Sequence, residues 1–217
     1  MTAEQKPRLT QAERRARSRN ALLEEAAQQL ALHGYANLSL QNVAETAGYT
    51  RGALYHQFAG KEELALAVVA WVHETWEAEV GHVFNGNLAD PAEVLLALAR
   101  NHAFYCRRDV AAVMMNLRVE FGQRGHPISR AIGEIVDRLG RKCMRLIHTG
   151  RADGSIPPGP PAERTAEALI GVLEAVGIEA AGHAPHDVEL AERAIRGVLG
   201  LPPSNSNPDN ITERGPT

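Results

Sequence analysis

The chain has only two cysteines among its 217 residues. It also lacks any apolar run near the roughly 18 residues a spanning helix needs. Its opening residues, MTAEQKPRLTQAERRARSRN, are polar and basic and hold no apolar segment of the kind a secretory signal requires. A membrane span and an export signal are therefore not expected, and the cytoplasm is the expected compartment. Cys106 and Cys143 have no metal-knuckle spacing and no exported context, so two reduced, buried thiols are expected rather than a disulfide. No stretch alternates apolar and polar residues as a strand would, and no internal repeat is present. The patterns GxxxxGK[ST], GxSxG, HExxH and CxxC are missing, and HETWE from His73 lacks the second histidine of a zinc helix. The expectation is a protein that is not an enzyme and needs no metal or cofactor, with a helical enzyme lacking a recognised motif as one alternative.

Apolar residues make up 44% of the chain and charged residues 23%, enough for a sizeable core. The net charge of -3 conceals a division. Residues 1–61 hold eight Lys and Arg against five Glu, a balance of +3, which leaves -6 for the remainder. A basic front on an acidic body predicts a polyanionic partner for the front alone.

Periodicity predicts an all-α protein. Leu22, Leu23, Ala26, Ala27 and Leu30 share one face of a first helix over about 13–33, stopped by Gly34. Ser39 stands as N-cap ahead of LQNVAETA, whose Leu40, Val43, Ala44 and Ala47 form one apolar face up to Gly48. Gly48 can take positive φ in a tight connection, and Thr50 can cap a third helix that turns Ala53, Leu54 and Phe58 inward. Two short helices joined by a glycine turn make a helix-turn-helix. An uninterrupted run from Lys61 follows, then apolar-periodic segments at about 91–107, 109–122, 127–150, 162–182 and 186–200. The expected organisation is a flexible arm over 1–12, a helix-turn-helix domain over 13–60, a second helical domain over 61–201, and a disordered Pro-rich tail over 202–217.

At 100° per residue the third helix leaves Arg51, Gly52, Tyr55, His56 and Gln57 toward solvent. These groups suit a DNA groove. Arg51 offers a planar fork for guanine N7 and O6, Gln57 can pair with adenine or hold a phosphate, and Tyr55 and His56 can donate to phosphate oxygens. Gly52 removes a side chain where close approach matters. Lys61 places a cation in the first turn of a helix, against the macrodipole, which an external anion would offset. The second helix, capped by Ser39 with Gln41 exposed, offers N–H groups to a second phosphate.

The stretch LSLQNVAETAGYTRGALYHQFAGKEEL, with Gly34 before it, resembles the DNA-binding domain of TetR-family transcriptional regulators over about 17–64. Its carrying residues include Ser39, Val43, Ala44, Ala47, Gly48, Thr50, Gly52, Leu54, Tyr55, Phe58, Lys61, Glu63 and Leu64. The family commonly has His where this chain has Gln57, and His56 occupies the variable slot before it. The resemblance implies Arg51 and Gly52 facing bases, Tyr55 and Lys61 facing phosphates, and Ser39 and Thr50 capping helices beside the DNA backbone. Charge alone adds Arg14, Arg15, Arg17 and Arg19 as an arm along the neighbouring groove.

The same resemblance implies an all-helical C-terminal domain that dimerises through its last two long helices. AERTAEALIGVLEAVGIEAAG supports this separately, because a helix apolar almost all round needs burial on two sides. Ala168, Gly171 and Ala175, with Ile195 and Val198 on the next helix, are the expected seam between two copies, and a two-fold dimer reads a near-palindromic operator. Trp71, Trp76, His102, Tyr105, Cys106, Met115, Phe121 and Cys143 are the expected lining of a pocket for an apolar or amphipathic small-molecule effector. The expected function is a ligand-released homodimeric repressor. A regulator that senses oxidant through Cys106 or Cys143 is the remaining alternative.

Overall fold

The computed structural model describes residues 10–86, 89–122, 125–180, 183–184 and 186–203. Most of the expected arm, and all of the expected tail beyond residue 203, lie outside them. Among the described residues the fold is all-helical. The helices are α1 (Gln11–His33), α2 (Leu40–Thr46), α3 (Arg51–Tyr55), α4 (Lys61–Glu79), α5 (Pro91–Tyr105), α6 (Ala112–Phe121), α7 (Pro127–Asp153), α8 (Ala162–Ala175) and α9 (His186–Leu199). Short 3-10 turns stand before α5 and α6.

Local chemistry sets these boundaries. Thr10 and Glu13 form a reciprocal capping box, so Gln11 and Ala12, assigned above to the arm, are the first turn of α1. The arginines at 14, 15, 17 and 19 are therefore helical rather than an extended arm. Ser39 Oγ accepts from the Asn42 N–H and Thr50 Oγ1 from the Ala53 N–H, as their positions predict. Between them α2 ends in a Schellman turn, where the Tyr49 N–H donates to Ala44 O at 2.8 Å and the Gly48 N–H to Glu45 O at 3.0 Å. That turn places Gly48 at φ +79°, a conformation that costs glycine nothing. The long segment from Lys61 is helical only to Glu79. The last part of the segment over 162–182 departs from α geometry too, since Val176–Ala180 is a single π turn.

The apolar interior forms two clusters. One gathers Leu22, Ala26, Leu30, Val43, Leu54 and Phe58 of the first three helices, with Leu64 and Val68 of α4, Val113 and Leu117 of α6, and Ile128 and Ile132 of α7. The other centres on α5, which is buried nearly all round, and packs it against α7, α8 and α9. The helix-turn-helix is thus not a separately packed unit. Its core continues across residue 60 and is closed from behind by α6 and the start of α7.

Candidate nucleic-acid interface and ligand cavity

Helix α3 has only five residues, too few to be stable alone. Fully buried Leu54 and Phe58, together with the Thr50 cap, hold it in place. The opposite face carries Arg51, Gly52, Tyr55 and His56, all exposed. Arg51 lies along its neighbour, with Nη2 donating to Tyr55 Oη at 3.3 Å and the guanidinium 5.3 Å from the ring centre. Both groups remain reachable from solvent. Gly52 has room for a side chain, because an added Cβ would meet only Thr50 Oγ1 at 3.9 Å. Nothing inside this chain therefore requires glycine there. Gln41 is exposed on α2, where its amide donates to Glu45 at 2.9 Å.

Two residues of the expected surface are placed differently. Gln57 is half-buried, turned toward α1 with Nε2 donating to Ser18 Oγ at 3.0 Å, and its Oε1 is buried without a partner. Lys61 has contacts within the chain, so the argument that an outside anion must offset it does not hold. Its ammonium donates to Ala36 O at 2.9 Å and lies 4.7 Å from the centre of the Tyr35 ring, and these stabilise the charge at the start of α4. Periodicity could not show this, since Ala36 and Tyr35 lie in the turn between α1 and α2.

That turn is also held from α6. The Glu120 carboxylate accepts from the Tyr35 N–H at 2.6 Å and the Ala36 N–H at 2.7 Å, and Asn116 Nδ2 donates to Ala31 O at 2.7 Å. Phe121 packs edge-on against Tyr35, at 4.9 Å between ring centres, and stacks on His126 at 4.1 Å. Asn116 and Glu120 share a helix face at i, i+4; that pairing was visible in the sequence, but its partner was not.

The other face of α6 looks into an apolar cavity of about 130 Å³. Of the expected lining, Trp76, His102, Tyr105, Cys106 and Met115 meet there. Trp71 and Phe121 pack instead against the first cluster, and Cys143 is fully buried in the second, so these three do not reach the cavity. Met114 lines it too, and Ile135, Leu139, Ile170 and Leu173 complete walls that the sequence pattern did not single out. Gly177, in the π turn, allows this region to close on α5, since a Cβ there would sit 3.3 Å from Cys106 Sγ.

His102 is saturated. The Trp76 indole N–H donates to Nδ1 at 3.1 Å, which leaves Nε2 to carry the proton and donate to Leu173 O at 3.0 Å. Burial lowers its pKa from 6.5 to about 4, so it is neutral and has no lone pair free for a metal. Cys106 Sγ lies 3.3 Å from the same Nε2, and burial pushes both the Cys106 and Cys143 thiols up to about 12. Oxidant sensing needs the reverse, an accessible thiol of lowered pKa. The burial of both thiols and their raised pKa weigh against a sensor acting through these cysteines in this conformation.

On the expected seam, Ala168, Gly171 and Ala175 lie exposed along α8, and Val198 is half-buried on α9. Ile195 is fully buried within its own chain and so belongs to the internal core rather than to a surface. The exposed apolar residues nearby are Ile178 and Leu190.

Residues 22–68 match the family model described as bacterial regulatory proteins, tetR family. The HTH-type transcriptional repressor AcnR of Corynebacterium diphtheriae is 30% identical over 140 residues, covering 64% of this chain and 70% of that protein. The chain belongs to the TetR family. The AcnR protein of Corynebacterium efficiens is 38% identical over a shorter span of 79 residues, 34% of this chain and 42% of that one. Among solved structures, the TetR-family regulator SCO4454 from Streptomyces coelicolor superposes with a TM-score of 0.72 at 20% identity, over 85% of this chain and 95% of that one. AibR, solved in complex with isovaleryl coenzyme A and operator DNA, gives 0.71 at 20% identity over 85% and 99%. These similarities establish the TetR fold throughout the described chain and the nature of the protein as a DNA-binding regulator of transcription rather than an enzyme. No helix among the described residues is long and apolar enough to cross a membrane.

Proposed function

We propose that this TetR-family protein is a cytoplasmic homodimeric repressor that binds a near-palindromic operator and is released by a small apolar or amphipathic effector. The observation that carries the reading is the face of α3, where Arg51, Gly52, Tyr55 and His56 are exposed on a helix anchored from behind. In this reading Arg51 reads a base edge, Gly52 lets the helix approach, and Tyr55, His56, Gln41 and Lys61 meet phosphates beside the caps Ser39 and Thr50. Gln57 acts indirectly by holding α3 to α1. Residues 13–60 serve as the reading head and 61–201 as the effector and dimer half, despite their shared core. The AcnR relatives, which are named as repressors, support the sign of regulation.

The small-residue stripe on α8 supports the dimer. An added Cβ at Gly171 or at Gly197 of α9 meets nothing, so neither glycine is needed inside one chain, and both permit a second copy to approach closely. Release follows from shared helices. The cavity is lined by Val72, His73 and Trp76 of α4 and by Met114, Met115 and Arg118 of α6, and both helices also grip the turn between α1 and α2. A ligand that prefers one spacing of the two heads by a few kcal/mol shifts the population accordingly.

Selection of bound fragments from random duplex DNA is the test. It should yield a near-palindromic site bound by a dimer, and Arg51→Ala should weaken binding to that site about tenfold to hundredfold while the fold is unchanged. The proposal fails if no duplex is bound in a salt-sensitive manner, or if the Arg51→Ala protein keeps parental affinity and selectivity.

A further inference from the structure

The electrostatics of the cavity point to the kind of molecule it takes. We propose that it selects small, mostly apolar molecules carrying one negative charge, and that Arg138 recognises the anion; this rests on the effector reading above.

The depth of the cavity has nothing to offer a polar ligand group. Both His102 nitrogens are engaged, and the Tyr105 hydroxyl donates to Val72 O at 3.2 Å with Thr75 Oγ1 also at 3.2 Å. The remaining inner walls are aliphatic, thioether or aromatic apart from the weakly polar Cys106 thiol, so an apolar body enters and its polar group stays at the rim. For scale, an apolar cavity of about 150 Å³ admits a benzene-sized molecule.

The rim charges largely cancel. Arg118 of α6 pairs with Glu174 of α8, and Glu77 of α4 takes Lys142 of α7 at 3.1 Å with His73 at 3.9 Å. Arg138 of α7 also lines the cavity, is exposed, and has no ion pair with a carboxylate among the described residues. Burial is the main reason His73 is held below its usual pKa; Glu77 and Glu74 oppose that shift, and Arg138 and Lys142 add to it. Arg118 and Arg138 thus stand against Glu77 and Glu174 in the lining, and of these four Arg138 alone has no ion pair among the described residues, which leaves its planar fork to a carboxylate. A cationic ligand meets Arg138 while both lining carboxylates are already paired, and a neutral alcohol finds no strong donor deeper in.

Matched probes on one skeleton test this with the full chain by titration calorimetry: phenylacetate, 2-phenylethanol and 2-phenylethylamine, repeated with hexanoate, hexanol and hexylamine. The acids should bind at least tenfold tighter than the alcohols, and the amines weakest. Arg138→Gln should erase the acid preference while leaving alcohol affinity within about twofold, and Arg138→Lys should retain part of the preference. The proposal is overturned if an alcohol or amine matches its acid, if the preference survives Arg138→Gln, or if none of the probes binds. Release of the selected operator DNA separates the two readings. Arg138-dependent acid binding without release upholds the ligand class and removes the effector role, whereas equal release by acid and alcohol upholds the effector role and overturns the ligand class.

Discussion

Basic residues in the first 61 positions and in the rest of the molecule differ in how often they meet a carboxylate. In the body, Arg100 bridges Glu93 and Glu192, Arg107 takes both oxygens of buried Asp187, and Arg108, Arg118, Lys142, Arg164, Arg193 and Arg196 each have a carboxylate, while Arg130, Arg138, Arg141, Arg145 and Arg151 have none among the described residues. In the head, Arg15, Arg17, Arg19, Arg51 and Lys61 have none among the described residues. Arg19, Arg51 and Lys61 lie instead against the rings of Phe58, Tyr55 and Tyr35. An aromatic face holds a cation in place without neutralising it, so the charge stays available to a polyanion. The charge count gives the sign of each half; the pairing shows which cations a carboxylate already neutralises and which keep their charge.

Packing joins what charge divides, and the largest expected effect tests that. Leu117 is fully buried on α6 yet sits in the same cluster as Leu22, Leu54 and Phe58 of the head. Leu117→Ala should cost about 2–5 kcal/mol of stability, read from the denaturant midpoint. Head and body should unfold in one transition. Separate transitions would show that the head folds on its own and that the shared core is incidental.

The next effect is confined to the body. His102 has a folded pKa of about 4 against roughly 6.5 in an unfolded chain. Between those values the unfolded chain binds a proton that the folded chain does not, so stability is full above about pH 6.5 and falls as the pH drops toward 4. The loss reaches about 3 kcal/mol. Denaturation at pH 7 and pH 5 should show a smaller difference for His102→Gln than for the parent. An unchanged difference would place the titration elsewhere.

A smaller effect addresses the charge contrast directly. If Arg15 and Arg17 meet phosphates, Arg15→Gln and Arg17→Gln should each lower the slope of log affinity against log salt by about 0.9 per protomer, hence about 1.8 for the dimer on its operator. Arg100→Gln, in the body, should leave that slope untouched and lower stability modestly. Equal slopes for head and body variants would dissolve the distinction.

What was legible from the residues was what depends on neighbours in sequence. Ser39 and Thr50 were read as caps from position alone, Gly34 and Gly48 as helix stops, and Leu54 and Phe58 as inward from a period of 3.6, and all are so placed. Contacts between distant segments were not legible. Lys61 with Ala36, Gln57 with Ser18, and Glu120 with the Tyr35 and Ala36 amides join positions 25 to 85 residues apart. The cavity shows the same limit. Five of its expected residues meet because α4, the C-terminal end of α5 and α6 converge there, while Trp71 of α4, Phe121 of α6 and Cys143 of α7 point into other layers. Ile195 was misplaced for a related reason. It lies on the stripe of α9 that Ala191, Ile195 and Leu199 bury in the chain's own core, and periodicity does not say which partner a stripe faces.

The smallest effect is also the one in which stability and function should move in opposite directions. Gly177 sits in a tight place, since a Cβ there would lie 3.3 Å from Cys106 Sγ and require that side chain to give way by a few tenths of an ångström. Gly52 does not, because the space around it is open in the isolated protein. A helical glycine costs about 0.8–1 kcal/mol relative to alanine, so Gly52→Ala should raise stability by up to about 1 kcal/mol. If α3 lies in a groove with Gly52 toward the bases, the added methyl should weaken binding to the selected operator while the protein melts at higher temperature. A variant both more stable and equally tight on DNA would remove Gly52 from the interface and turn the reading face toward Arg51 and Tyr55 alone.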